Sequence, residues 1–201
     1  MTTVTLRARK KQATRARLAD AAIRLIATRG VDAVTIEDIA RSAEVGKGTL
    51  YNYYSSKDDI LLDFLAGVEA ATLPRIAAAP VSGRSLALIL NGAAWALLEC
   101  KAPHHALARV VLARLASGDA SFNARAEAFS AAILAAFATL FEKLKRAKLI
   151  EAHWDAHDLA LRFTVMHMGL SLFWAMDAAP FANSRRVTKA QTEIFAKGIG
   201  S

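Results

Sequence analysis

The chain has 201 residues, enough for one or two domains and a sizeable buried core. Hydrophobic residues make up 54% of it, with four prolines, abundant alanine and few β-branched runs, a composition that favours closely packed helices over sheets. The formal net charge is +8, and a single cysteine, Cys100, excludes an internal disulfide and fits a reducing cytoplasm.

The charge is unevenly placed. Residues 1–57 hold eleven Lys and Arg against five Asp and Glu, net +6, whereas the remainder holds fifteen against thirteen, net +2. A polyanion is therefore the expected partner of the N-terminal quarter. The longest charge-free runs, Ser85 to Leu98, Ala128 to Phe141 and Phe163 to Met176, are fourteen residues each. They fall short of the roughly 18 to 20 residues needed to cross a bilayer, so no membrane association is expected. The first residues lack an apolar stretch followed by a cleavage site, so no secretion signal is expected either.

In chain order, residues 1 to about 12 read as an unstructured basic arm carrying Arg7, Arg9, Lys10 and Lys11, able to reach phosphates or a minor groove. Leu18, Ala22, Leu25 and Ile26 then recur at helical spacing, and Gly30 closes that helix. Thr35 with Asp38 three residues on is a capping box, and Val34 with Ile39 forms a hydrophobic staple, so a helix starts at Ile36. Glu44-Val45-Gly46 breaks the period. A second short helix, Lys47 to Tyr54, follows with Leu50 inward and Lys47, Gly48, Thr49, Tyr51, Asn52 and Tyr53 left as donors and aromatics. Two short helices joined by a tight turn make a helix-turn-helix.

Thr35, Ile39-Ala40, Val45, Gly48-Thr49-Leu50-Tyr51, Tyr53-Tyr54 and Ser56-Lys57 resemble, in order and spacing, the TetR family of transcriptional regulators, over roughly Leu18 to Leu65. Two positions depart from the family pattern: Glu44 stands where a turn glycine is usual, and Gly46 where a capping serine is usual. A left-handed glutamate costs on the order of 1 kcal/mol, and glycine for serine at a cap only a few tenths. The resemblance implies that Thr35, Thr49, Tyr53 and Lys57 contact phosphate. It implies that Lys47, Tyr51 and Asn52 point toward base edges, Asn52 suiting adenine and Lys47 guanine, with Gly48 also among the DNA-binding residues.

Ser56 with Asp59 is a further capping signal, opening a helix with Ile60, Leu61, Phe64, Leu65 and Val68 as its apolar side and running to near Pro74. The rest reads as alanine- and leucine-rich helices at roughly Arg84 to Lys101, Pro103 to Ala116, Phe122 to Ala147, Asp155 to Ala178 and Ser184 to Lys197. Pro103, Ser117-Gly118, the polar stretch Glu151 to Asp155, and Pro180 with Asn183 supply the breaks. No alternating strand pattern and no fixed repeat is present. The expected fold is all-α: a three-helix head with the helix-turn-helix in residues 1–56, then a larger helical bundle in 57–201 for effector binding and dimerisation.

Catalytic and metal chemistry find little support. The sequence has no glycine-rich phosphate loop, Gly-x-Ser-x-Gly elbow or paired-cysteine zinc pattern, so no enzyme, cofactor or catalytic residue is expected. His153 and His157 share the spacing of metal ligands on one helix face, but they straddle a helix start without a third ligand, and cap or surface histidines fit better. Cys100 reads as a small buried hydrophobe. Large residues among alanines, of which Trp95, Phe137, Phe163 and His167 are the best candidates, can line a cavity for a small apolar ligand, as the resemblance also implies. The run Phe163 to Met176 is apolar nearly all round, and Gly169, Ser171 and Ala175 would let a second copy approach closely, so a homodimer through the last two long helices is expected.

Together these features suggest a cytoplasmic, ligand-responsive regulator: a repressor that binds double-stranded palindromic DNA as a homodimer and is released by an apolar or amphipathic small molecule. Two other readings stay open, a ligand-independent DNA-binding protein and a helical binding module without a DNA role.

Overall fold

The computed structural model describes residues 5–177 and 183–200, so the predicted break at Pro180 lies outside the described residues. They form nine α-helices and one 3₁₀ turn, with a lone β-bridge between Ile150 and Gly200 as the one extended pairing among them. The chain divides into two compact units at the Phe64–Leu65 boundary.

The first unit begins with α1, Leu6–Arg29, capped by the Thr5 hydroxyl and closed by Gly30 at φ 79°, whose N–H donates to the Ile26 carbonyl. The expected disordered arm is corrected here: residues 6–12, with Arg7, Arg9, Lys10 and Lys11, form the first turns of α1. The run from Leu6 to Arg29 contains neither Gly nor Pro and is rich in Ala, Leu, Arg and Lys, so nothing stops the helix once Thr5 caps it. Helix α2, Ile36–Ser42, has the predicted capping box, and Val34 and Ile39 are both fully buried.

The turn after α2 shows how glutamate replaces glycine. Val45 N–H donates to the Ala40 carbonyl at 3.0 Å and Glu44 N–H to the Arg41 carbonyl at 3.2 Å, the paired bonds of a Schellman close, with Glu44 at φ 55°. Gly46 begins α3, Lys47–Tyr51, without a side-chain cap. This helix stops three residues before the expected Tyr54. Asn52 and Tyr53 turn instead, donating to Thr49 and Leu50, while the Tyr54 N–H still donates to the Leu50 carbonyl at 3.0 Å and its ring is buried. Leu18, Ala22, Ile26, Ile39, Leu50, Tyr54, Ile60 and Leu61 close the head's core.

Helix α4, Lys57–Ala77, contributes its first eight residues to the first unit and the rest to the second. It runs through Pro74 rather than ending near it. So close to the C-terminus the proline removes one hydrogen bond, while Ile76 beyond it is completely buried and keeps the last turn in place. The second unit continues with α5, Leu86–Lys101, a 3₁₀ turn at Ala102–His104, α6, His105–Ala116, α7, Ala120–Arg146, α8, Ala156–Ala175, and α9, Ser184–Ile199. The helix α7 packs along α8, and α5 along α9.

Phe163 sits at the centre of this unit. Its ring makes edge contacts with Phe137, Phe141 and Phe195 at centroid distances of 5.0, 5.8 and 5.3 Å, and Phe137, Phe141 and Phe163 have no solvent exposure. By length and composition α7 could cross a membrane, but Ile133, Phe137, Leu140, Phe141 and Leu144 are spent on this core. Just past the end of α9, a Cβ at Gly200 would meet the Ala196 carbonyl at 3.0 Å, tighter than an ordinary contact. Phe163→Ala is expected to lower the unfolding free energy by about 3 to 5 kcal/mol in urea titrations followed by tryptophan fluorescence. Arg162→Ala, its neighbour on the solvent side, should change it by less than about 0.5 kcal/mol.

Candidate nucleic-acid interface and buried polar site

The outward face of α3 is polar and basic because Leu50 alone points inward. Lys47, Gly48, Thr49, Tyr51 and Asn52 are exposed and Tyr53 is half-buried. Glu37, on α2, organises two of them: Lys47 Nζ lies 2.7 Å from its carboxylate, and the Tyr51 hydroxyl donates to the same oxygen at 3.2 Å. The Lys47 contact is the first cause holding the Glu37 carboxyl below its usual range, and Glu37 raises Lys47 in return. This pair is open to water, so an incoming phosphate or base edge can exchange with it easily. Nothing lies near the position a Gly48 side chain would take, which leaves room for close backbone approach.

Two expected phosphate contacts are occupied internally. The Thr35 hydroxyl donates to Asp38 Oδ2 at 2.7 Å and accepts from the Asp38 N–H at 3.1 Å, holding the Asp38 carboxyl low. Lys57 Nζ donates to the Val31 carbonyl at 2.7 Å, tying the start of α4 to the α1–α2 connection. Sequence reasoning missed the opposite case. Because α1 is helical from Leu6, Arg7, Lys10, Lys11 and Thr14 line a groove of about 460 Å³ together with Thr49, Asn52 and Tyr53. The i, i+3, i+4, i+7 spacing of Arg7, Lys10, Lys11 and Thr14 was the available signal, hidden by the assumption of disorder.

Elsewhere in the head, Asp63 accepts from Tyr54 and from Arg15, whose Nε lies 3.0 Å from Oδ2. Burial first, and then this carboxylate, raise the Tyr54 hydroxyl well above its usual pKa, so it remains a donor. Asp59 caps α4 by accepting from the Ser55 and Ser56 N–H groups at 2.7 and 2.9 Å.

In the second unit the four residues expected around a ligand are in different settings. Phe137 and Phe163 touch each other in the core, whereas Trp95 on α5 is half-buried with the Arg185 guanidinium 4.3 Å over its ring. His167 is buried with its Nε2 3.2 Å from the Ser171 hydroxyl, and that hydroxyl accepts from the Nζ of a buried lysine, Lys101, at 2.9 Å. Lys101 was not singled out from sequence, because a lysine at a helix end is normally solvated. Ser171 and Ala175 are buried within one copy, which corrects their expected place at a dimer seam. The exposed apolar stripe on α8 is Leu161, Val165, Met168 and Met176 just past its end.

Among the described residues no cluster of three His, Cys, Asp or Glu could hold a metal ion. His153 pairs with Glu151 at 3.1 Å and stacks on Trp154. Cys100 is half-buried with Arg75 Nη1 3.7 Å from its sulfur, a more polar setting than a plain core cysteine.

Burial pushes the Lys101 ammonium down from 10.5 to about 8. The folded chain thus holds this proton less tightly than the unfolded chain, so the group destabilises the fold below about pH 8 and that penalty fades between pH 8 and 10.5. Denaturation midpoints at pH 7.5 and 10.5 should show a rise of about 3 kcal/mol for the native protein relative to Lys101→Met, which lacks the titrating group.

The comparisons with known proteins agree with the head's architecture. The family model for bacterial regulatory proteins of the tetR family matches residues 18–64. An HTH-type transcriptional regulator of Bacillus subtilis, YwcC, is 43% identical over 56 residues, 28% of this chain and 25% of that protein. TcmR, an HTH-type regulator of Streptomyces glaucescens, is 30% identical over 93 residues, 46% of this chain and 41% of that one. The chain thus spans a quarter to about two fifths of the curated relatives it matches. Among solved structures, the fatty acid degradation regulator FadR of Bacillus halodurans superposes with a TM-score of 0.79 at 18% identity, covering 92% of this chain and 95% of that one. FadR of Bacillus subtilis, solved with stearoyl-CoA, gives 0.77 at 18% identity over 92% and 98%. Residues 18–64 thus form a tetR-type helix-turn-helix head, and the helical bundle that follows has the same fold as these regulators.

Proposed function

We propose that the protein is a repressor that binds a palindromic DNA operator as a homodimer and lets go when a small apolar or amphipathic molecule enters its bundle. The observation that carries this reading is the exposed face of α3, which presents Lys47, Tyr51 and Asn52 outward on a strongly basic head. Asn52 suits the paired donor and acceptor of adenine, and Lys47 the acceptors of guanine once it leaves Glu37. Thr49 and Tyr53 with Arg7, Lys10 and Lys11 serve the phosphates alongside, and the amino end of α2 at Thr35 adds a favourable dipole. Lys57 supports this surface from behind through Val31. On this reading DNA binding belongs to residues 1–56, and effector binding and dimerisation to 57–201.

The α8 stripe supports dimerisation. Leu161, Val165 and Met168 are 49%, 63% and 41% exposed, and on a helix they recur at four and three residues, so they form one continuous apolar strip. A two-fold mate would bury it and place two recognition helices about 34 to 36 Å apart, the spacing of successive major grooves. Release then requires a ligand that prefers the arrangement in which the two heads no longer match that spacing. Helix α4, with residues in both units, is the covalent route for the signal. Tenfold weaker DNA binding needs about 1.4 kcal/mol of such preference.

Fluorescence anisotropy on DNA fragments selected by the purified protein tests the interface. Asn52→Ala should change the preference among fragments. Lys10→Ala with Lys11→Ala should weaken all of them alike and lower the log–log salt slope by about 2. A Tyr51→Ala, Asn52→Ala protein with unchanged affinity and preference would sink the proposal. Assembly is tested by light scattering: a mass twice the 21.6 kDa of one chain is expected at micromolar concentration, with Val165→Glu shifting it to one chain. A native protein of single-chain mass under these conditions would rule out the dimer.

A further inference from the structure

One cation inside the bundle has no anion. Lys101 ends α5 with 8% of its surface exposed, and its Nζ donates to the Ser171 hydroxyl at 2.9 Å. Glu99, two residues before it, is exposed and bound to Arg75 at 2.6 Å. Asp177, just beyond α8, is exposed and faces His105 and Arg109 at 3.3 and 3.7 Å. Among the described residues no carboxylate pairs with Lys101.

The proton count along the relay sharpens this. The Ser171 oxygen accepts from Lys101, and the arrangement that gives its own proton an acceptor directs it to His167 Nε2, 3.2 Å away. Burial, and then the charge of Lys101, hold His167 well below its usual pKa, so the ring is neutral. A neutral imidazole that accepts at Nε2 carries its proton on Nδ1, and Nδ1 is buried without a partner. The relay therefore ends in donors on both sides, the spare N–H bonds of Lys101 and the Nδ1–H of His167. Unmet donors and an unpaired charge of this kind are costly to keep buried. One turn before His167, on the same face of α8, stands Phe163 with Phe137 against it, an apolar neighbourhood.

We propose that the molecule bound in the bundle is an apolar carboxylic acid, its carboxylate held by Lys101 and His167 and its hydrocarbon part lying along the Phe163 side of α8. This rests on reading the bundle as the effector-binding half and names the effector's chemistry. An acceptor-only anionic group supplies what both ends of the relay lack. A neutral alcohol leaves the ammonium unpaired, and an amine meets like charge, so the head group is selected by what a wrong one leaves unsatisfied.

The test uses the full-length protein at pH 7 in calorimetric titrations with sodium dodecanoate, 1-dodecanol and dodecanoyl-CoA. Dodecanoate is expected to bind about ten- to a hundredfold more tightly than dodecanol. Lys101→Met should abolish that preference without weakening dodecanol, and His167→Phe should reduce it severalfold, with thermal melts confirming that both variants fold. Equal affinity for acid and alcohol, or a preference that survives Lys101→Met, would overturn the assignment. Binding of dodecanoyl-CoA without dodecanoate would also overturn it while leaving the effector-domain reading intact. Absence of binding by all three would count against both.

Discussion

The Asp63 carboxylate lies on α4 and takes hydrogen bonds from two other directions, Arg15 of α1 and Tyr54 just beyond α3. The geometry of the head depends on it. Tyr54 is 2% exposed, and its hydroxyl must find an acceptor or bear the cost of burial unpaired. Asp63 supplies that acceptor and binds Arg15 with the same carboxylate, which raises the Arg15 pKa in turn. Tyr54 stands four residues beyond the buried Leu50 and its N–H still donates to the Leu50 carbonyl at 3.0 Å, so the two side chains share the inward face. Lys47, Gly48, Thr49, Tyr51 and Asn52 are left on the outward side.

Within the head, the first turns of α4 gather several such fixings. Asp59 caps the helix through Ser55 and Ser56, Lys57 reaches Val31, and Asp63 holds Arg15 and Tyr54. Each joins α4 to a different part of the head, so the start of α4 and the recognition surface behave mechanically as one piece. A disturbance of the start of α4 would carry the whole surface along rather than distort it locally.

In the second unit one helix carries three tasks, which explains why its sequence looks apolar nearly all round. The inner face of α8 places Phe163 in the aromatic core, then His167 and Ser171 at successive four-residue steps beside Lys101. Its outer side shows Leu161, Val165 and Met168 to solvent. Core and outer strip are both hydrophobic for different reasons. The buried ammonium runs against the stability of the unit, because desolvating a cation beside a hydroxyl alone is unfavourable, and a binding group kept in such a state is poised for the partner that relieves it.

Much of the head was legible in the sequence because its signals are local. Thr35 with Asp38, Gly30 after Ile26, Ser56 with Asp59 and the inward Leu50 each act over three or four residues, the range at which backbone hydrogen bonds and helix periodicity operate. The helical bundle was legible as a class for the same reason, through the apolar spacing of its helices. Tertiary contact alone decided the rest. That Tyr54 would find Asp63, that Lys57 would face Val31 across 26 residues and that Arg15 would reach Asp63 across 48 depends on which segments meet. So does the enclosure of Lys101, whose partner Ser171 lies 70 residues away. A long basic side chain at a helix end looks solvated in any one-dimensional reading, and only the packing of α8 against it removes the water.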